Sequence, residues 1–157
     1  MKKIKLLVMD VDGTLTDGKI HIGVNGEVMK SFDVKDGYGI ANILPLYKII
    51  PVIITGRKSE IVEKRAAELN IKYVFQGIKD KEIVLREICE NLRCNLSEVA
   101  YIGDDLNDLN CLQKCGVSAC PNDAIEQIKD IVDFVSSRKG GEGAVREIIE
   151  WIEENCL

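Results

Sequence analysis

Short apolar runs recur along the chain, each closed by an acidic residue or a turn. Ile4-Lys5-Leu6-Leu7-Val8-Met9 is the first, and Pro51-Val52-Ile53-Ile54, Lys72-Tyr73-Val74-Phe75 and Val99-Ala100-Tyr101-Ile102 follow, with Gly116-Val117-Ser118-Ala119-Cys120 as a fifth. Continuous apolar runs of this length read as strands buried on both faces, the pattern of a parallel sheet. Helical spacing fills the gaps, with helices predicted at about 39–48, 58–69, 80–92, 106–115 and 123–130. A short strand at 131–135 and an amphipathic helix reaching about 155 complete the chain. Alternation of this kind predicts an α/β protein, a Rossmann-like parallel sheet with helices on both faces.

One stretch breaks the rhythm. Lys19-Ile20-His21-Ile22-Gly23-Val24 and Glu27-Val28-Met29-Lys30-Ser31-Phe32-Asp33-Val34 alternate apolar and polar around Asn25-Gly26. Asn-Gly between alternating segments is a strong hairpin signal. A flap hairpin over about 19–34, directly after strand 1, is the expectation. A lone hairpin is marginally stable, so its apolar face needs a partner, and a neighbouring subunit is a natural one. His21, the single histidine, reads as a strand side chain rather than a ligand.

Composition narrows the class. The chain has 157 residues, enough for one domain over 1–157 with a real core. Hydrophobic residues make up 46% and charged residues 30%, which is the balance of a soluble globular protein. A net charge of −5 with scattered basic residues excludes a basic nucleic-acid face. No apolar run approaches membrane-spanning length, and the basic start Met1-Lys2-Lys3 runs straight into strand 1 rather than into a leader, so the expected location is cytoplasmic. The six cysteines, Cys89, Cys94, Cys111, Cys115, Cys120 and Cys156, lack CxxC pairing and read as reduced, buried thiols.

Candidate chemistry sits at the strand ends. Strand 1 runs into Asp10-Val11-Asp12-Gly13, and open α/β sheets bind ligands at the carboxyl ends of their strands. Two carboxylates held close need a cation or a shared proton, and a hard divalent ion such as Mg²⁺ suits an all-oxygen site. The second strand ends in Thr55-Gly56-Arg57 before a helix whose amides could hold a phosphoryl group. After the third comes Gln76-Gly77-Ile78-Lys79-Asp80-Lys81, with Lys81 the favoured cation and Lys79 its competitor. The fourth ends in Gly103-Asp104-Asp105, where Asn107 and Asp108 read as caps of the following helix that also close the site. Gly140-Gly141-Glu142-Gly143, in a tail over about 138–157, reads as a mobile loop.

Asp-x-Asp-x-Thr after a hydrophobic strand, followed in order by Thr55, Lys81 and Asp104-Asp105, resembles the haloacid dehalogenase-like (HAD) phosphohydrolases. The resemblance implies that Asp10 is the nucleophile and forms an aspartyl-phosphate. It implies that Asp12 is the general acid and base, and that Thr55 and the helix start hold the transferring phosphoryl group. Lys81 would pair with nucleophile and phosphate. Mg²⁺ would bind Asp10, the Asp12 carbonyl and Asp104, with Asp105 orienting the site through water. With no larger cap, the likeness is to the capless group.

The likeness narrows further. Asp12-Gly13-x-Leu15-Thr16-Asp17-Gly18, Asp36-Gly37-Tyr38-Gly39-Ile40, Ile54-Thr55-Gly56-Arg57-Lys58, Gln76-Gly77 and Gly140-Gly141-x-Gly143-Ala144-Val145-Arg146-Glu147 resemble the 3-deoxy-D-manno-octulosonate 8-phosphate (KDO 8-phosphate) phosphatases. That group implies a sugar-acid phosphate substrate in lipopolysaccharide synthesis, a homotetramer with flaps packed at its centre, and a tail covering a neighbour's site. Position 14 is Thr, the general HAD choice, where the group has Val. Glu142 replaces the group's Arg and resembles relatives acting on nonulosonate 9-phosphates, whereas Arg57 favours the eight-carbon acid because it can pair with the substrate carboxylate. Arg57, Gly56, Asn107 and Glu142 are therefore the candidate substrate-binding residues. A receiver-like or silent phosphate-binding module is the rival from another class, although receivers carry the phosphorylated Asp after strand 3.

Overall fold

The structure, a computed structural model, describes residues 3–157; Met1-Lys2 of the basic start lies outside the described residues. The elements run β1 (Leu6–Met9), β2 (His21–Gly23), β3 (Gly26–Met29), α1 (Val34–Tyr38), β4 (Ile50–Ile54), α2 (Glu60–Glu68), β5 (Tyr73–Phe75), α3 (Lys81–Asn91), β6 (Val99–Ile102), α4 (Leu109–Lys114), β7 (Val117–Cys120), α5 (Glu126–Lys129), β8 (Phe134–Val135) and α6 (Ala144–Cys156). Six strands form one sheet in the order β5-β4-β1-β6-β7-β8. Every pairing in it is parallel.

Strand 1 shows why the apolar runs are continuous. Leu7 and Met9 join the core under α1, α2 and α6, while Leu6 and Val8 join the opposite core under α3, α4 and α5. All four are buried, so neither face of the strand tolerates a polar residue. Of the six cysteines all but Cys115 are buried.

The hairpin forms a separate two-stranded sheet, β2 with β3. It is shorter than the alternation suggested, and its turn is Val24-Asn25, with Gly23 opposite Gly26. Gly26 carries the positive φ of 109°. The reason for the early end lies at Asp33. Its carboxylate accepts from Lys35 N at 2.7 Å, so Asp33 caps α1 and Val34 is helical rather than extended. The helix then continues through wider and tighter turns, Gly39–Ile43 and Leu44–Tyr47, so Asp36-Gly37-Tyr38-Gly39 lies inside it. It packs on α6, and Asp36 Oδ1 accepts from Arg146 N at 2.9 Å, capping a neighbour that has no side-chain cap of its own.

Later elements are trimmed at their ends. The helix expected at 106–115 is a tight turn, Leu106–Asp108, followed by α4, and the helix expected at 123–130 is the single turn α5. The glycine-rich segment is packed rather than mobile. Gly141 N donates to Thr14 O at 3.3 Å and Gly140 N to Asp123 Oδ1 at 2.9 Å. A Cβ on Gly140 would lie 2.0 Å from Gly13 O, so only glycine permits the segment to brace the loop after β1.

Candidate active site

A cleft of about 430 Å³ opens at the carboxyl ends of β1, β4 and β6, lined by Asp10, Asp12, Thr55, Gly56, Arg57, Asp104, Asp105 and Asn107. The sheet order puts β1 between β4 and β6, so its Asp10 stands between Thr55 on one side and Asp104 on the other. Asp10 N donates to Ile102 O at 3.0 Å, which extends the β1–β6 pairing to the site itself. Gly13, at φ 90°, lets Asp104 approach; a Cβ there would fall 2.0 Å from Asp104 Oδ2.

The floor of the cleft is a buried charge cluster. Lys81 opens α3, where the Asp80 carboxylate caps the helix by accepting from Glu82 N and Ile83 N. Its Nζ donates to Asp10 Oδ1 and to Asp108 Oδ1, both at 2.8 Å, and its side chain is fully buried. Lys79 is exposed, so Lys81 is the lysine that reaches the site. Asp108 was expected to cap a helix and does not. Its Oδ1 accepts from Lys81 and from Tyr101 Oη at 2.8 Å, and its Oδ2 accepts from Asp104 N at 3.1 Å. The sequence places Asp108 at the site but not in this role, as the partner of Lys81; the available signal is an acid four residues beyond Asp104. Asp105 is the cap instead, accepting from Leu106 N at 2.7 Å at the cleft edge.

Carboxyl oxygens of Asp10, Asp104 and Asp108 lie within 4.8 Å of one another. Three acids thus face one ammonium. Burial and the charge of Asp108 push Asp10 up to about 6, against the pull of Lys81. Burial and the neighbouring Asp10 push Asp104 up to about 9. Burial alone would lower Lys81, but Asp10 and Asp108 hold it above the ordinary lysine range. An excess of buried anionic oxygen at the mouth of a cleft fits a hard divalent cation such as Mg²⁺. Both oxygens of Asp108 are already committed, so the donors facing the cleft are Asp10 and Asp104.

The rim is built by the hairpin and by the start of α2. Ser59 caps α2, accepting from Ile61 N at 3.2 Å, and its own N–H donates to Gln76 Oε1 at 2.8 Å. Two helix-start amides expected to face a phosphoryl group are therefore used within the chain, and Thr55-Gly56-Arg57 is what fronts the cleft. Arg57 lies 3.7 Å from Glu27 Oε2 of β3. Asp12 Oδ1 is 2.5 Å from Lys30 Nζ, just beyond β3. Neither Lys30 nor Glu27 was singled out from sequence, because both read as the polar face of a strand. Glu142 is exposed on the turn before α6 and does not line this chain's cleft. β5 ends in Phe75, with Gln76 after it, and brings no acid to the site, which removes the receiver-like alternative.

A family profile for haloacid dehalogenase-like hydrolases matches residues 64–149, more than half of the chain. The chain belongs to this family. It is 44% identical over 149 residues to the Escherichia coli K12 protein named 3-deoxy-D-manno-octulosonate 8-phosphate phosphatase KdsC, covering 95% of this chain and 79% of that one. The fold matches that of the Moraxella catarrhalis KDO 8-phosphate phosphatase, solved with magnesium ion, phosphate ion and KDO, at a TM-score of 0.93 and 42% identity over 98% of this chain and 87% of that one. A cobalt-bound Haemophilus influenzae phosphatase matches equally, at a TM-score of 0.93 and 40% identity over 98% and 89%. Among the described residues no helix is long and apolar enough to cross a membrane.

Proposed function

We propose that this chain is a Mg²⁺-dependent phosphomonoester hydrolase that converts KDO 8-phosphate to KDO and inorganic phosphate in the cytoplasm. The observation that carries the reading is the placement of Asp10. It stands 2.8 Å from a buried lysine and beside Asp104, at the mouth of a polar cleft, in a chain 44% identical to KdsC.

The carboxylate of Asp10 attacks phosphorus in line with the sugar oxygen, and the P–O bond to the sugar breaks as the bond to Asp10 forms. Asp12 gives its proton to the departing oxygen. It then takes a proton from the water that hydrolyses the aspartyl-phosphate and regenerates Asp10. Thr55 and Gly56 hold the transferring group opposite Lys81, whose ammonium offsets the charge that gathers in the transition state. When bound at Asp10, Asp104 and the Asp12 carbonyl, Mg²⁺ supplies further charge neutralisation of the phosphoryl oxygens. Asp105 orients that group of ligands, and Asn107, across from Gly56, closes the cleft edge.

Arg57 is the residue for the substrate's carboxylate, since guanidinium pairs with carboxylate through two parallel hydrogen bonds. Glu142 stands off this chain's cleft, so any contact it makes with substrate crosses to a neighbouring copy. Ile22, Val24 and Val28 of the hairpin are exposed, Val24 wholly so. Covering them in a homotetramer gives the hairpin the apolar partner it lacks in one chain.

The test is phosphate release from KDO 8-phosphate, nonulosonate 9-phosphates, hexose phosphates and p-nitrophenyl phosphate, with and without EDTA. KDO 8-phosphate should have the highest kcat/KM, EDTA should abolish turnover and Mg²⁺ restore it. Asp10→Asn should lower kcat by a factor on the order of 10⁴ or more. Preference for a nonulosonate 9-phosphate would move the assignment to the nine-carbon acids, and preference for a hexose phosphate would end it.

A further inference from the structure

The hairpin carries a buried charge into the site. Lys30 follows β3, yet its side chain is only 1% exposed. Its ammonium lies 2.5 Å from Asp12 Oδ1 and 2.9 Å from Glu27 Oε2. Glu27 Oε1 in turn accepts from Ser59 Oγ at 2.5 Å. A line of charge and hydrogen bonds therefore runs from the loop after β1, through the hairpin, to the cap of α2. Burying a lysine is costly, and the cost is met only by partners that keep it charged. Here burial pulls the ammonium down, while Asp12 and Glu27 hold it above the ordinary lysine range.

The two sheets are separate, so the hairpin is not held over the cleft by strand pairing with β1. A register set by ion pairs is a more economical explanation for a lysine at this place than solvation, because solvent scarcely reaches it. The contact engages Oδ1 of Asp12, a residue that also lines the cleft.

We propose that Lys30 is a positioning residue for Asp12: by binding Oδ1 it fixes the carboxyl group so that Oδ2 delivers the proton to the leaving oxygen. This rests on the reading of Asp12 as that proton donor. In the step concerned, the P–O bond to the sugar breaks, the P–O bond to Asp10 forms, and the proton on Asp12 Oδ2 moves to the sugar oxygen. The hairpin is on this view part of the catalytic support.

The leaving group provides the test. A sugar alkoxide needs a proton as it departs, whereas p-nitrophenolate leaves without one. The parameter kcat/KM covers steps up to formation of the aspartyl-phosphate, and would be measured on KDO 8-phosphate and p-nitrophenyl phosphate for the parent, Lys30→Gln, Lys30→Arg and Asp12→Asn. Lys30→Gln should lose roughly 30- to 100-fold on the sugar phosphate, part of the ~10²–10⁴ that positioned proton transfer contributes, and less than about 3-fold on the nitrophenyl ester. The loss should fall on kcat, with KM nearly unchanged, and Lys30→Arg should recover most of it. Equal losses on both substrates, or none on either, would overturn the inference while Asp12→Asn still showed the leaving-group dependence. If Asp12→Asn itself shows no such dependence, the reading of Asp12 falls and the inference with it. Circular dichroism checks folding. Should Lys30→Gln unfold, Lys30→Met, which keeps the length of the side chain without its charge, takes its place. A selective loss on the sugar phosphate supports the inference, and a uniform loss overturns it.

Discussion

The floor of the cleft and its rim are both made of ion pairs, but they are held in place by different means. At the floor, Lys81 joins Asp10 and Asp108 with side chains between 0% and 6% exposed, each placed by a strand end or a helix start of the main sheet. At the rim, Arg57 is half exposed and meets Glu27 at 3.7 Å on a hairpin outside that sheet. A buried pair costs heavily when one member is removed, because the other charge stays behind without water. An exposed pair costs little, because water replaces the partner. The floor is thus structure and chemistry at once, whereas Arg57 at the rim can be altered for specificity with the fold left alone.

The strongest way to break this contrast is at Asp108. Asp108→Ala leaves Lys81 with one carboxylate instead of two and leaves Tyr101 Oη without its acceptor, in a site that solvent does not reach. A loss of roughly 3–5 kcal/mol in urea unfolding is expected, together with most of the activity. Asp10→Asn provides the counterpart. Lys81 keeps Asp108, and the crowding of carboxyls is relieved, so stability should stay within about 1 kcal/mol of the parent while turnover disappears. Equal destabilisation by the two variants would show that the floor is not anchored through Asp108.

The same anchor shows where sequence reading reaches its limit. Asp10, Asp12, Thr55 and Asp104 are legible because each closes an apolar run, and a parallel sheet gathers strand ends at one edge. Lys81 is legible through its place just after a turn. The role of Asp108 is not, because its partners are fixed by tertiary approach: Lys81 comes from 27 residues earlier in the chain and Tyr101 from the strand before. Lys30 and Glu27 fail for the opposite reason, since local alternation gives them a solvated face that the hairpin's fold over Asp12 removes. The start of α1 differs from the expected helix at about 39–48 because Phe32-Asp33-Val34 continues an alternating pattern that reads as strand. The Asp33 cap outweighs that signal.

A buried acid outside the cleft separates the effect of burial from that of crowding. Asp36 is 2% exposed and, among the described residues, has no ammonium or guanidinium within ion-pair distance; burial pushes it up to about 6 although Arg146 N–H donates to it. In the unfolded chain it titrates near the ordinary value of about 3.9. Between about pH 4 and 6 the native state therefore binds the extra proton, and stability falls as pH rises through that window, then levels off. Asp36→Asn keeps an oxygen for Arg146 N–H and removes the charge. It should flatten this slope and raise stability at pH 8 by on the order of 1–2 kcal/mol, less than the full linkage of about 3 kcal/mol because the new amide must find partners. A slope unchanged in the variant would place its origin elsewhere.

The smallest effect on stability is expected at the rim, and there the contrast between floor and rim becomes a statement about substrate. Arg57→Met removes a half-exposed guanidinium whose protein partner is 3.7 Å away, so unfolding free energy should change by less than about 1 kcal/mol. Glu27 keeps Lys30 and Ser59 as partners and is not stranded by the change. The catalytic consequence should be larger than the structural one, and selective. A charged hydrogen bond to a substrate carboxylate is worth roughly 1.5–3 kcal/mol, which corresponds to a rise in KM for KDO 8-phosphate of about 10- to 150-fold. p-Nitrophenyl phosphate has no carboxylate, so its KM should stay within about 2-fold, and kcat should hold for both because the floor is untouched. Loss of kcat on both substrates would mean instead that Arg57 acts on the phosphoryl group, and that rim and floor are one site rather than two.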